Sequence, residues 1–454
     1  MKTAIKITIA AVLAAVFFPC GAAETESPET AGQKAERMEW FSRAKLGIFI
    51  HWGIYSRGDW SESWPVYNKR VSMEDYMAQK ADFTASNYNP ADWVSLIKES
   101  GAKYTVITTK HHDGVALWDT KAGDVSTVKS CAAGRDVLTP FVDEVRRQGG
   151  LKLGLYYSLI DWPREDYPNI SREGPQKYDI KEHPDRWNHF CKFNFAQMKE
   201  LNDAYCPDLY WFDGDWEFSS EEWRAPELVA MLRRTNPSVI LNSRIQGNGD
   251  YATPELGVPV VRPQEQWWET CMTINDSWGY RKKDTDYKSD MTLLRMLVNC
   301  MSLGGNLLLD IGPRADGTIP EEEVKALKHI GRWMKKHEEA VYPTRAGIPD
   351  GHVQGYTTLN QAGDILYVYL PYAPNESVEV KGLKTHIKNV RVVGTDRTLS
   401  WKLYNDIDWS EVPGVYYINV PEDVLDNDIT VLALELDGPL RLYRGSGQVI
   451  SYNN

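Results

Sequence analysis

Over the first three quarters of the chain, short apolar runs alternate with longer segments of mixed polarity. Between Lys45 and about Pro313 the clearest apolar runs are Leu46 to His51, Tyr104 to Thr109, Leu153 to Ser158, Leu209 to Asp213, Val239 to Asn242 and Leu307 to Ile311. Each is short and almost wholly apolar, which is how a strand buried on both faces reads. The segments between them carry the helical period. Pro90-Ala91-Asp92 opens one that stops at Gly101, and Val137, Leu138, Phe141, Val142 and Val145 form a stripe that stops at Gly149-Gly150. Repeated strand–helix units predict a parallel sheet. The number of units, and the lack of a Gly-x-Gly-x-x-Gly loop after any strand, favour a closed (β/α)8-like TIM barrel over an open doubly wound sheet.

The pattern changes at about Arg345. Short runs such as Ile365 to Leu370, Val378 to Val380 and Val415 to Val420 then recur between Gly, Pro and Asn turns, predicting a C-terminal antiparallel β-sandwich. At the other end, Lys2 and Lys6 precede the apolar run Ile7 to Phe18, and Gly21-Ala22-Ala23 follows it. These are the three regions of a secretory signal peptide, and the run is too short to span a bilayer. The expected organisation is a signal peptide over 1–23, a catalytic α/β barrel over 24–345 and a β-sandwich over 346–454. Cys20 leaves a second reading open, lipoprotein anchoring, beside ordinary export to the periplasm or outside the cell. The remaining cysteines are scattered without CxxC spacing and suggest neither a zinc site nor a disulfide framework.

At 454 residues the chain can bury a large core. Its formal net charge of -12 argues against nucleic acid as a partner, because binding phosphates needs clustered Lys and Arg. No stretch reaches the length of a membrane span. The 17 Trp and 24 Tyr fit either an aromatic-rich core or a surface for sugar rings, which dock on flat aromatic faces with a polar edge.

In a parallel barrel the functional site forms at the C-terminal ends of the strands, so polar residues that close apolar runs are the candidates. They are His51-Trp52-Gly53, Lys110-His111-His112-Asp113-Gly114, Tyr156-Tyr157-Ser158 and Trp211-Phe212-Asp213-Gly214-Asp215, followed by Arg244 and by Glu255 in Thr253-Pro254-Glu255. Singly, a strand-end His is most often a packing residue and a lone Asp often caps a helix. Together they would meet on one rim. A metal site is the first rival. Against it, the first strand lacks a His-x-His pair, and neighbours on a strand such as His111 and His112 should point to opposite faces. Two carboxylates among imidazoles and aromatics suit glycoside hydrolysis better, and that chemistry needs no metal or other cofactor.

At these residues the sequence resembles the α-L-fucosidases of glycoside hydrolase family 29. The resemblance lies in Trp40-Phe41, Ala44 to Gly53, Lys110 to Gly114 with Ala116-Leu117-Trp118-Asp119, and Trp211-Phe212-Asp213-Gly214. It continues in Trp268 to Thr273, Ser277-Trp278-Gly279-Tyr280 and Gly304 to Pro313. It implies a retaining exo-fucosidase acting on terminal α-L-fucose of glycans through a covalent fucosyl-enzyme. Asp213 would be the nucleophile, with Asp215 as local competitor. Glu255 would be the acid/base, while Glu269 is a supporting carboxylate or the alternative acid, and Glu265 trails both. His51, His111, His112, Tyr157 and Arg244 would bind the sugar, with Trp211 and Trp278 along the apolar side and Trp64 as a further sugar contact.

One departure concerns specificity. Where many members of the family have a Glu-Trp pair, this chain has Ser63-Trp64, with Glu62 one place earlier. Loss or displacement of that carboxylate would relax specificity toward galactose-like sugars, and Val115 in place of the common Phe would reshape the pocket floor. A glycosidase for another terminal sugar, such as a galactoside, and a non-catalytic glycan-binding protein are the competing readings.

Overall fold

The computed structural model describes residues 29–169, 176–255, 257–407, 409 and 411–445. The segment read as a signal peptide, with Cys20, lies outside the described residues. Seven parallel strands form one curled sheet: β1 (Leu46–Ile50), β2 (Tyr104–Lys110), β3 (Lys152–Ser158), β4 (Leu209–Asp213), β5 (Ile240–Leu241), β6 (Glu269–Thr273) and β7 (Asn306–Ile311), in the order β5-β4-β3-β2-β1-β7-β6. Alternation along each strand divides its side chains. Phe49, Tyr104, Val106, Tyr156, Leu209, Trp211, Cys271 and Leu308 fill the interior. Their neighbours Ile48, Ile107, Leu155, Tyr157, Phe212, Leu307 and Leu309 join the larger core beneath the helices. Both faces are therefore buried, which explains the near-continuous apolar runs.

The helices form as the sequence predicts. In α1 (Pro90–Glu99) the Asn89 side chain caps the Ala91 N–H, and Trp93, Val94, Leu96 and Ile97 are buried. In α2 (Leu138–Gln148) the buried face is Leu138, Phe141, Val142 and Val145, and Gly149 at φ 61° ends the helix. No described helix is long and apolar enough to cross a membrane.

Closure of the barrel uses a segment without a strand-like sequence. Between β5 and β6 the chain from Tyr251 to Glu255 runs through the gap. It makes parallel bridges Asn242↔Tyr251 on one side and Ala252↔Trp268 and Glu255↔Cys271 on the other. The eighth strand is thus reduced to a few bridges, and they set Glu255 on the rim. Neither this segment nor β6 has an apolar run, because Glu269, Thr273 and Glu255 occupy positions that would otherwise be apolar.

Beyond the barrel, β8 (Thr344–Ala346), β9 (Tyr356–Asn360), β10 (Ile365–Leu370), β12 (Ile387–Val392) and β15 (Thr430–Leu436) form a five-stranded antiparallel sheet. A second sheet holds β11 (Ser377–Lys381), β13 (Trp401–Tyr404) and β14 (Val415–Asn419). Leu366, Val368, Val390, Leu432 and Leu434 of the first sheet share one core with Val378, Val380, Tyr416 and Ile418 of the second, so the two sheets pack as a sandwich. α3 (Glu321–Lys336) joins it to the barrel: Trp333 Nε1 donates to the Ile429 carbonyl at 2.9 Å, and Lys336 pairs with Asp426 at 2.6 Å.

Gly249 is the tightest point of the closure. A Cβ there would lie 1.9 Å from the Asn242 carbonyl oxygen. Gly249→Ala is expected to destabilise the protein by about 1–3 kcal/mol, the cost of overpacking, and a thermal or urea melt against wild type would detect it. An unchanged melt would mean that the closing segment yields freely.

Candidate active site

The strand ends converge on a cavity of about 440 Å³ lined by Phe49, His51, Glu62, Trp64, Tyr67, His111, Tyr156, Trp211, Asp213, Trp216, Arg244, Glu255, Cys271 and Trp278. Asp213 ends β4 on its inward face, two residues after Trp211. Its Oδ2 accepts from the Tyr156 hydroxyl at 2.9 Å, and its Oδ1 accepts from Arg244 Nη1 at 2.9 Å. Arg244 Nη2 reaches Glu255 Oε2, and Arg244 Nε donates to Thr253 Oγ1 at 3.0 Å. One planar fork of donors thus holds both carboxylates. Burial opposes the charge of Arg244, but Asp213 and Glu255 outweigh it and hold the guanidinium pKa above its ordinary value. Glu255 is the more open of the pair, with its side chain 35% exposed.

Three imidazoles face the Asp213 carboxylate. His51 Nδ1 lies 2.6 Å from Asp310 Oδ1, His111 Nδ1 2.7 Å from Ser63 Oγ, and His112 Nδ1 2.6 Å from Ser158 Oγ. Burial pushes the pKa of His51 and His111 well below the ordinary value, and that of His112 to about 3, so the rings are neutral. A neutral imidazole with Nδ1 engaged offers Nε2 to a ligand. His112 Nε2 is buried without a hydrogen-bond partner, 3.6 Å from Asp213 Oδ2.

The expected divergence of His111 and His112 does not occur. β2 ends at Lys110, and a turn closed by the Gly114 N–H on the His111 carbonyl brings the rings to 4.3 Å centroid separation. His111, His112 and Asp213 offer ligand atoms within 4.8 Å of one another, so strand alternation does not keep the two imidazoles from a shared ion. Charge weighs against one. The Arg244 guanidinium, a permanent cation, already pairs with Asp213 Oδ1 while Tyr156 donates to Oδ2, and its charge repels a metal ion at the same carboxylate.

Tyr157 is a correction. It does not line the cavity; it lies on the outward face of β3, its hydroxyl 2.9 Å from both Asn194 Oδ1 and Gln197 Oε1 and its ring 4.4 Å from Lys110 Nζ. Tyr156, one position earlier, takes the inward place. The register Tyr156↔Trp211 and Ser158↔Asp213 puts Tyr156 on the same face as Asp213, two positions from Ser158. Asp215 is also displaced. Gly214 at φ 84° turns the chain, and Asp215 Oδ2 accepts the Gln246 N–H at 2.7 Å, away from the cavity. Val115 is buried in the outer core, so it shapes no floor.

Trp64, Trp211 and Trp278 line the cavity as expected. Glu62 joins them. Ser63 takes φ 42°, a conformation unfavourable for a non-glycine residue, and is held there by its N–H on the Tyr76 hydroxyl at 2.6 Å and by His111. This turn directs the Glu62 carboxyl inward, where burial raises its pKa to about 7. Glu62 thus places a carboxyl in the cavity lining one position before Ser63.

Glu269 lies inside the barrel behind the cavity wall. It accepts from Trp211 Nε1 at 2.9 Å and from the Tyr104 hydroxyl at 2.5 Å, which fixes the Trp211 indole. Glu265 is exposed in the loop before β6.

With this geometry in place, the sequence profile described as Alpha-L-fucosidase matches residues 20–339. The chain belongs to the α-L-fucosidase family. It is 31% identical over 400 residues to the tissue α-L-fucosidase of Bos taurus, covering 80% of this chain and 81% of that one. Among solved structures it resembles α-L-fucosidase isoenzyme 1 from Paenibacillus thiaminolyticus, with TM-score 0.79 and 32% identity over 89% of this chain and 99% of that one. It also resembles a family 29 α-L-fucosidase from Bacteroides thetaiotaomicron trapped as a covalent intermediate with 2-fluoro-fucosyl fluoride, with TM-score 0.78 and 26% identity over 92% and 99% of the two chains. The chain is accordingly a glycoside hydrolase.

Burial raises the Glu269 pKa from its ordinary 4.5 to about 7, against the lowering effect of its hydrogen bonds from Tyr104 and Trp211. The folded state holds this proton more tightly than the unfolded chain does, so its contribution to stability falls as pH rises from about 4.5 to about 7. Glu269→Gln is expected to remove that decline, worth roughly 1–3 kcal/mol across the window. Urea melts of the two proteins at several pH values would show it. Slopes from the other buried carboxyls cancel in the difference, and parallel curves would refute the assignment.

Proposed function

We propose that the chain is an exported retaining exo-α-L-fucosidase that releases terminal α-L-fucose from glycans, with Asp213 as nucleophile and Glu255 as acid/base. The observation that carries this reading is the pair of carboxylates held on one guanidinium in the wall of the cavity at the strand ends. A retaining mechanism needs its two carboxyl groups close together, roughly 5 Å apart, and a shared guanidinium keeps this pair near one another.

Asp213 attacks the anomeric carbon while Glu255, exchanging its Arg244 contact for the departing oxygen, protonates it. The bond to the aglycone breaks and an ester to Asp213 forms. Glu255, now a carboxylate, takes a proton from water. The water oxygen displaces Asp213 and frees fucose with its configuration retained. The Tyr156 hydroxyl and Arg244 hold Asp213 in position. A trapped covalent intermediate in the Bacteroides relative supports this two-step course.

Neutral His51, His111 and His112 suit the sugar's hydroxyls, since each ring carries one donor and one acceptor. Phe49, Trp211 and Trp278 supply an apolar wall on which the methyl group of fucose gains by burial. Glu62, inside the cavity, counters the expected relaxation toward galactose-like sugars. Export rests on Lys2, Lys6 and the apolar run Ile7 to Phe18.

Asp213→Ala is expected to lower turnover of an aryl α-L-fucoside by about a thousandfold or more while leaving the fold intact, as circular dichroism would show. Retained hydrolysis would sink the assignment. Azide or formate should partly restore turnover in Glu255→Ala; rescue of Glu269→Ala in its place would move the acid/base role there.

A further inference from the structure

Trp216 stands three positions after Asp213, in the 3-10 turn Asp215–Glu217 that follows β4. It lines the cavity, yet its side chain keeps much of its surface in solvent, with the residue 38% exposed. A lone exposed aromatic is ordinary on a protein surface. The way this one is held is not. On one flank, Asp215 Oδ2 accepts from the Gln246 N–H at 2.7 Å, and the Asp215 carbonyl accepts from Gln246 Nε2 at 2.6 Å and Trp223 Nε1 at 2.9 Å. On the other flank, Glu217 accepts from Trp162 Nε1 at 3.3 Å, from Asn169 Nδ2 at 3.1 Å and from the Tyr167 hydroxyl. The turn is clamped on both sides, and the indole between the clamps is presented at the cavity mouth.

The neighbouring rings extend this surface. The Trp216 plane lies within 16° of Trp64, with centroids 6.1 Å apart. Tyr67, also on the cavity lining, stands edge-on to Trp64 at 5.3 Å and stacks on Trp162 at 5.4 Å. The inner cavity already has its hydrogen-bonding groups and its carboxylates. Whatever is attached to the departing oxygen must extend outward past this aromatic rim.

We propose that Trp216, with Tyr67 beside it, is the platform for the sugar ring that leaves: the apolar C–H face of a pyranose aglycone docks on the exposed indole. The inference rests on the fucosidase reading above and adds to it the residue that recognises the leaving sugar. A pre-ordered aromatic suits this task, because the side chain loses little freedom on binding and its face matches the apolar face of the ring.

The test compares kcat/KM for α-L-fucosyl fluoride, whose leaving group has no ring, with that for a disaccharide in which fucose is α-linked to a hexose. The comparison is made in wild type, Trp216→Ala and Trp216→Phe. The Ala variant is expected to lose about tenfold more on the disaccharide than on the fluoride, the factor one aromatic contact is worth, while Phe keeps most of the preference. Equal losses on the two substrates, or no loss on the disaccharide, overturn the platform. If Trp216→Ala fails to fold, Trp216→Met keeps more of the apolar volume without an aromatic face and gives the same readout. A wild type that hydrolyses neither substrate overturns the fucosidase reading itself, and the platform with it, which separates the two failures.

Discussion

Arg244 ties together the two carboxylates on which the proposed chemistry depends. Carboxylates in a small, partly dry cavity repel each other, and the repulsion grows as water is excluded. A guanidinium is permanently charged and planar, so it can answer both while fixing their orientation. Its own position is over-determined. Thr253 binds Nε, the Trp211 ring lies 4.5 Å from the guanidinium carbon, and the loop just after Arg244 is fastened to Asp215 through Gln246. Much of the surrounding structure can be understood as what keeps Arg244 there: the close approach at Gly249, the bridges that thread Tyr251 to Glu255 between β5 and β6, and the buried Glu269 that holds Trp211.

The rest of the cavity works by neutrality. Burial keeps His51, His111 and His112 uncharged, and each has one nitrogen engaged by Asp310, Ser63 or Ser158. Such rings suit a neutral polyol, because they donate and accept without drawing counterions. Ser63 therefore has two effects. Its hydroxyl orients His111, and at its positive φ the residue before it, Glu62, lines the cavity.

The fold was legible in the apolar runs because strands covered on both faces must be apolar along their length, as Leu307 to Leu309 and Leu153 to Leu155 are. β6 and the closing segment were not, because their inward positions carry Glu269, Thr273 and Glu255. A polar residue is stable inside this barrel only with partners such as Tyr104 and Trp211, and these come from strands far away in sequence. Trp216 gave no signal either, since one Trp among 17 says nothing until its exposure is known.

At the site the division is sharper. The sequence alone determined which residue types gather at the strand ends, and its motifs singled out Asp213 and Glu255. Only the tertiary structure decided that Tyr156 faces the cavity and Tyr157 the helices. Only it showed that His111 and His112 converge, Asp215 turns away and Glu62 turns in. The physical reason is one of scale. Hydrophobic burial sets elements over many residues and leaves a periodic trace in the chain. The aim of a side chain at the site depends on one backbone dihedral, at Gly214 after a strand or at Ser63 before a short helix, and on partners that the fold alone brings near.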